Sequence, residues 1–348
     1  RSRALPVLTA PDAAANSEAE MTTPTDERTS YAPWNWHPPL PLEGAPVLVF
    51  PPRPLKALRW LLSVGFLWSF LAPYTATALL TWFLLQQPLA DCAVLAPGWI
   101  LVVLGRNLAL MLVIAGGLHL YLHRWRRQGS THRYETRELG RNDPRFLGRD
   151  QVIDNMAWSL VSGVVLWSAI EVLFLHAYAN GALPVLAWST HPIWFAALFL
   201  AIPFWQSAHF FVIHRLLHGR ALYRWVHAVH HRNVAIGPWS GISMHPVEHL
   251  LYFSSVAIHL VLPSSPLHVI FHMQFLVFGA VQSHCGFADL VVRGRRTLAL
   301  GDFFHQLHHR YFNCNYGADY VQLDRWSGSF HDGTAEATRR LARGNRGD

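Results

Sequence analysis

"IWFAALFLAIPFWQSAHFFVIHRLLHGRALYRWVHAVHH" runs from residue 193 to residue 231, and it contains no Asp, Glu, Lys or Arg before Arg215. About 20 apolar residues in a helix cross a ~30 Å hydrocarbon layer. The run therefore predicts a membrane span from Ile193 to Ile213. His214 and His218 follow at its end, four residues apart, and then His227, His230 and His231 at i, i+3 and i+4. Residues three and four apart share a helix face. The stretch reads as a helix that crosses a bilayer and delivers clustered imidazoles at one end.

The rest of the chain repeats the first half of that pattern. Uncharged or nearly uncharged runs predict spans from Trp60 to Gln86, from Trp99 to Leu122 and from Met156 to Ala179. Arg106 and Asn107 in the second, and Glu171 in the third, are costly in lipid and must face protein, water or headgroups. The apolar region from Leu250 to Val281 is broken by "PSSP" at 263–266, which predicts a re-entrant hairpin. Of 348 residues, 51% are hydrophobic and only 14% charged, against about a quarter charged in a soluble domain. The net charge of +7 rests on arginine, since Lys56 is the one lysine. No basic stripe lies on a polar domain, so nucleic acid is not an expected partner.

Arginine crowds 123–150 and 214–232, while 87–98 and 180–192 contain none. The positive-inside rule assigns the arginine-rich loops, both termini and the histidine clusters to the cytoplasmic side. Arginine in place of lysine, with abundant Ala and Leu, points to a bacterial inner membrane; in a eukaryote the endoplasmic reticulum is expected. Cys92, Cys285 and Cys314 form no CxxC pair and read as reduced, packing thiols. Residues 1–20 precede Met21 without the pattern of a signal peptide, which leaves open whether they are native. The expected organisation is an irregular Pro-rich segment (1–55), two spans and a basic loop (56–150), a domain that carries the remaining spans and the histidine clusters (151–331) and a polar, fraying tail (332–348). Trp34 and Trp36 suit a membrane interface. The fold class is all-α: an integral membrane bundle of about four spans plus a re-entrant hairpin, with a cytoplasmic helical cap holding the histidines.

His305, His308 and His309 repeat the HxxHH spacing of residues 227–231. Composition alone predicts roughly 0.1 such matches in the chain. Metal binding is the reading that explains them, whereas lone His119, His176 and His259 read as core residues. Imidazole suits Fe, Zn, Cu and Ni. A structural zinc site takes about four ligands, and eight histidines in three clusters exceed one such site, so two ions are the economical reading. Adjacent His230 and His231 diverge by roughly 100° and suit different ions. A membrane metal transporter or sensor would also use histidine, but transport sites lie near the bilayer midplane on broken helices, and these clusters lie at span ends. A haem protein needs far fewer. Phe204, Trp205, Phe210 and Phe211 either line a substrate route or face lipid and core, and "GPWSGISMHP" (237–246) either shapes a cavity or turns the chain.

"HRLLH" (214–218), "HAVHH" (227–231) and "HQLHH" (305–309) resemble the three boxes of the membrane fatty acid hydroxylase/sterol desaturase superfamily. "SMHPVEH" (243–249), "SHCGF" (283–287) and "NYGADYVQLDRWSGSF" (315–330) are similar to further elements of that family, so the resemblance covers about residues 155–330. It implies a membrane-embedded non-haem oxygenase with two Fe ions, for which zinc substitutes in purified protein, acting on a lipid with O₂ and two electrons. Carried over box by box, the ligands are His214, His218, His227, His230, His231, His305, His308 and His309, with His284 as the intervening ligand. No catalytic residue separate from the ligands is implied. His245 and His249 are either ligands or groups that orient them, and Glu248 and Asp302 either accept an imidazole N–H or serve a solvated face or helix cap. Hydroxylation of an unactivated C–H bond of a fatty acyl or sterol-type lipid is the first expectation, and desaturation of the sterol C-5 type is the alternative. The chain shows no HPGG element, no GxGxxG after a strand and no ferredoxin cysteine run. A separate electron donor is therefore expected, of the ferredoxin or cytochrome b5 type with its reductase.

Overall fold

The computed structural model describes residues 33–344; the expectations on Met21 and residues 1–20 lie outside the described residues. Helix α1 (Pro54–Leu61) precedes four helices long and apolar enough to cross a membrane: α2 (Gly65–Leu85), α3 (Pro97–Arg124), α4 (Gln151–Ala179) and α5 (Pro192–Leu217). Their starts follow from local chemistry. Pro97 and Pro192 occupy first-turn positions, where a missing N–H costs nothing. Asp150 Oδ1 accepts from Val152 N at 2.8 Å and Ile153 N at 3.1 Å, so α4 begins five residues before the expected Met156. Ser63 Oγ accepts from Phe66 N at 3.1 Å and opens α2, which leaves Trp60 in α1 rather than in the first span. Leu101, Val113, Val161, Leu173 and Val212 stand exposed on the spans, as lipid-facing side chains should.

Arg106 and Glu171 meet in the interior as an ion pair between α3 and α4. Asn107 Nδ2 donates to Glu171 Oε2 at 3.0 Å and to Ser168 Oγ at 3.1 Å, and Arg106 Nη1 donates to Gln86 Oε1 at 2.7 Å. The polar groups that the sequence left without partners thus satisfy one another.

After α5 the chain forms a short helical segment, α6 (220–231). It is followed by α7 (Pro246–Phe253) and by α8 (Pro266–Ser283), which is buried along nearly its whole length. Tyr252 Oη donates to Leu276 O at 2.9 Å, and His272 meets Ser255 Oγ at 3.0 Å and His259 at 3.1 Å. These cross-links join 246–260 and α8 as the antiparallel limbs of a hairpin. Its second limb, 18 residues or about 27 Å, is the central helix of the bundle. A Cβ on Gly241 would lie 2.3 Å from Ala280 O, so only glycine lets the turn at 238–242 rest on α8.

The two-stranded antiparallel sheet β1 (Asp289–Val292) and β2 (Arg295–Ala299) links α8 to α9 (Phe303–Tyr311). The segment 34–53 has no helix or strand, as expected, yet it is held to the cap. Asn35 N donates to Tyr134 O at 2.9 Å, Leu42 N to Asp332 O at 2.8 Å and Ala45 N to Asp319 O at 3.2 Å. Trp34 packs edge-on against Phe303 at 4.8 Å under the Arg310 guanidinium, and Trp36 lies 5.9 Å from the Tyr134 ring. These two indoles therefore pack on the protein's own cap. The tail also departs from expectation: Ala335–Gly344 is a helix, with Ala337 buried and Thr338 Oγ1 3.1 Å from His331 Nε2.

Candidate metal centre and adjoining chamber

Four helix ends converge. The last turn of α5 supplies His214, with His218 just beyond it; α6 supplies His227, His230 and His231; the end of α8 supplies His284; α9 supplies His305, His308 and His309. The nine rings fall into two sets, with candidate ligand atoms within 4.8 Å of one another: His214, His218, His227, His231 and His308 in one, His230, His284, His305 and His309 in the other. Each HxxHH box is therefore divided. Its i and i+4 rings share one set, and the i+3 ring crosses to the other. In the first set Nε2 of His214 lies 3.1 Å from that of His227, and Nε2 of His231 lies 3.1 Å from His218 and 3.0 Å from His308. In the second, His284 Nε2 lies 2.9 Å from His309, 3.2 Å from His305 and 3.3 Å from His230.

The chemistry of this donor set suits metal ions. His214, His284 and His308 hold Nδ1 against the carbonyls of Tyr316 at 2.6 Å, Ala280 at 2.8 Å and Cys314 at 2.6 Å. A carbonyl only accepts, so Nδ1 carries the proton and Nε2 presents a lone pair toward the centre of its set. Burial holds His227, His231, His284, His305, His308 and His309 well below the usual histidine range, and neighbouring imidazoles add to the effect. Neutral imidazole is the form that ligates. Glu248 Oε1 accepts from His227 Nδ1 at 2.7 Å and orients that ring. Burial raises the Glu248 carboxyl well above its usual range, and Oε2 has no partner among the described residues.

The other sequence candidates lie outside both sets. His245 caps α7, its Nδ1 accepting from Val247 N at 3.2 Å. His249 is buried between Ser162 Oγ at 3.0 Å and Ile242 O at 3.2 Å. Asp302 caps α9 through Phe304 N at 2.9 Å instead of holding an imidazole. Cys285 and Cys314 are buried thiols, raised by burial and absent from either set.

These shifts carry a stability prediction. His230 is held down to about 4 and His218 to about 3, below the 6.5 of an unburied histidine. A depressed histidine binds its proton first in the unfolded chain. Metal-free protein is therefore expected to keep full stability above about pH 6.5 and to lose it progressively as pH falls toward the folded values. Thermal midpoints of chelator-treated protein across that range check this, and a flat profile contradicts it.

Beside the two sets lies a chamber of about 550 Å³, lined by His214 and His227 from one set and by His230, His284 and His305 from the other. Phe66, Phe70 and Tyr74 of α2, Phe210 of α5, Tyr252 of α7 and Phe275 of α8 supply aromatic wall. Gly241 and Met244 line it as well, so the turn at 237–246 shapes the cavity; of the four aromatics in question on α5, only Phe210 is among the lining residues. The strap residues Trp36, Leu42, Glu43 and Gly44 also line it, although the sequence reading placed none of them near the site. Their signal was only the Pro-rich aromatic composition of 34–54, which carries no periodicity.

Residues 195–329 match the profile of the fatty acid hydroxylase family. The Delta(7)-sterol 5(6)-desaturase ERG3B of Gibberella zeae is 33% identical over 123 residues, 34% of this chain and 36% of that protein. ERG3 of Saccharomyces cerevisiae, a Delta(7)-sterol 5(6)-desaturase, is 31% identical over 128 residues, 36% of this chain and 34% of that one. The Delta(7)-sterol-C5(6)-desaturase of Nicotiana tabacum is 24% identical over 211 residues, 56% of this chain and 75% of that protein. The chain thus spans about a third of the length of these fungal relatives. No solved structure matches it. The histidine boxes from His214 to His309 thus lie inside the region, residues 195–329, over which the chain is similar to the fatty acid hydroxylase family and to sterol desaturases.

Proposed function

We propose that the protein is an O₂-dependent di-iron oxidase of a membrane lipid, and that the substrate is sterol-like. The observation that carries this reading is the chamber whose wall includes rings of both histidine sets. The two iron ions, when bound by His214, His218, His227, His231 and His308 and by His230, His284, His305 and His309, supply the activation of O₂ that side chains cannot provide. The chain's own residues do the rest. Carbonyls and Glu248 fix the ring orientations. The aromatic wall excludes water and grips an apolar body, and the volume falls in the range of about 300–1,000 Å³ that suits such a ligand.

The histidine sets serve hydroxylation and desaturation alike. Hydroxylation is the first expectation from the boxes alone, but similarity to sterol desaturases favours removal of two hydrogens. In that outcome a CH–CH unit, O₂, two electrons and two protons give C=C and two waters. The electrons come from a separate donor. His218 is the one half-buried ring of the nine, with exposed Arg215, Arg220 and Arg224 nearby in the chain, a surface that attracts an acidic one-electron carrier. The same arginines support a cytoplasmic placement of the site.

Mass spectrometry of lipids from cells with and without the gene, grown under ¹⁸O₂, tests the reading. Desaturation is expected to appear as a lipid two mass units lighter without label. A product retaining one labelled oxygen would instead establish hydroxylation, and an unchanged lipid profile would refute both.

A further inference from the structure

The chamber's charged lining is one-sided. Glu43, Glu248, Asp289, Asp302 and Asp319 line it, against one arginine, Arg296, whose Nε is tied to Asp289 Oδ2 at 3.0 Å. Among the described lining residues no Lys and no other Arg offers a cation. Lipids with carboxylate, phosphate or sulfate heads are ordinarily met by Arg or Lys; here the one lining cation is already paired. A hydroxyl or an ammonium would find acceptors.

Asp302 and Asp319 stand where such a head fits. Asp302 caps α9, its carboxylate accepting from Phe304 N at 2.9 Å and from the backbone N–H of His305, which still leaves acceptor sites among the roughly four that a carboxylate carries. Asp319 is exposed at the chamber wall, and its backbone carbonyl, not its carboxylate, holds the strap at Ala45. Asp302 lies three residues before His305, roughly 4.5 Å along the helix axis. A separate observation marks the chamber as built for an occupant: Glu248, 2% exposed and part of the wall, has an Oε2 with no partner among the described residues.

Resting on the reading of the chamber as the substrate site, we infer that Asp302 and Asp319 accept a hydrogen bond from the head group of the substrate. The substrate is then an amphiphile with a hydrogen-bond-donating, non-anionic head. Its oxidised carbon lies only a few bonds from that head, and its apolar body runs along Phe70 and Phe275. Anionic lipids are disfavoured, because among the described lining residues the one cation, Arg296, is already paired with Asp289.

Equilibrium binding to the full-length protein in nanodiscs tests this, with and without chelator treatment, so that binding is read independently of turnover. A tritiated Δ7-sterol with a free 3-hydroxyl is competed by the unlabelled alcohol, its 3-amine, its 3-O-methyl ether, its 3-sulfate and oleate. The alcohol or the amine is expected to compete at least tenfold better than the ether, the sulfate and oleate, as loss of the hydrogen bond to the carboxyl pair predicts. Whichever of the two is stronger identifies a neutral or a cationic head. In Asp319→Asn and Asp302→Asn, the latter keeping the helix cap, the preference is expected to fall below about threefold at an unchanged melting temperature. An ether that competes as well as the alcohol in the unaltered protein overturns the assignment even if the variants fail to fold; so does a preference for sulfate or oleate, or a ratio untouched by both substitutions. Saturable sterol binding without head preference sinks this inference alone. No saturable binding at all sinks the proposed substrate site with it.

Discussion

Alanine at His231 is expected to remove one metal ion per chain, and alanine at its neighbour His230 the other. The two rings are adjacent in sequence but belong to different sets, His231 with His214, His218, His227 and His308, and His230 with His284, His305 and His309. Each variant should retain about half the metal of the unaltered protein when loaded and measured by elemental analysis. Each should also lose lipid oxidation by more than about a hundredfold, beyond the 10–100-fold typical of outer partners. Both rings are buried, but neither side chain is a large hydrophobe, so unfolding is not the expected cause; circular dichroism checks this. If both variants lose the same ion, or neither loses any, the division of the boxes between two ions is wrong.

The second large effect is on stability. Glu171→Ala is expected to cost about 3–5 kcal/mol, because it leaves the Arg106 guanidinium buried without its counter-charge. Arg106 also loses none of its bond to Gln86, so the penalty is electrostatic rather than a general loosening of α3. The double change Arg106→Leu with Glu171→Leu should recover most of the loss, since a buried pair replaced by apolar side chains is often neutral. Unfolding of the purified protein in detergent measures both. A Glu171→Ala protein as stable as the unaltered chain would mean that water or lipid headgroups already solvate the pair.

Much of the site was readable before the fold. A helix fixes which side chains share a face, so HxxxH and HxxHH announced convergent imidazoles, and the roughly 100° between neighbours anticipated the separation of His230 from His231. The apolar runs announced the spans, because in hydrocarbon the backbone has no option but the helix. Where local hydrogen bonding competes, the reading failed. Ser63 restarts a helix inside an unbroken apolar run, and Asp150 starts one early. Trp34 and Trp36 have the composition of interface residues, yet their partners Phe303, Tyr134 and Arg310 lie far along the chain.

The sequence by itself determined that this chain carries helices long and apolar enough to cross a membrane and gathers histidines at helical spacing near their ends, since both follow from periodicity within single helices. Only the tertiary structure decided which rings share a set, that His249 and Asp302 stand apart, and that α2 and the strap wall the chamber. Apart from the local cap at Asp302, those outcomes depend on contacts between residues from about ten to more than two hundred positions apart, and helical periodicity carries no information across the loops that join them.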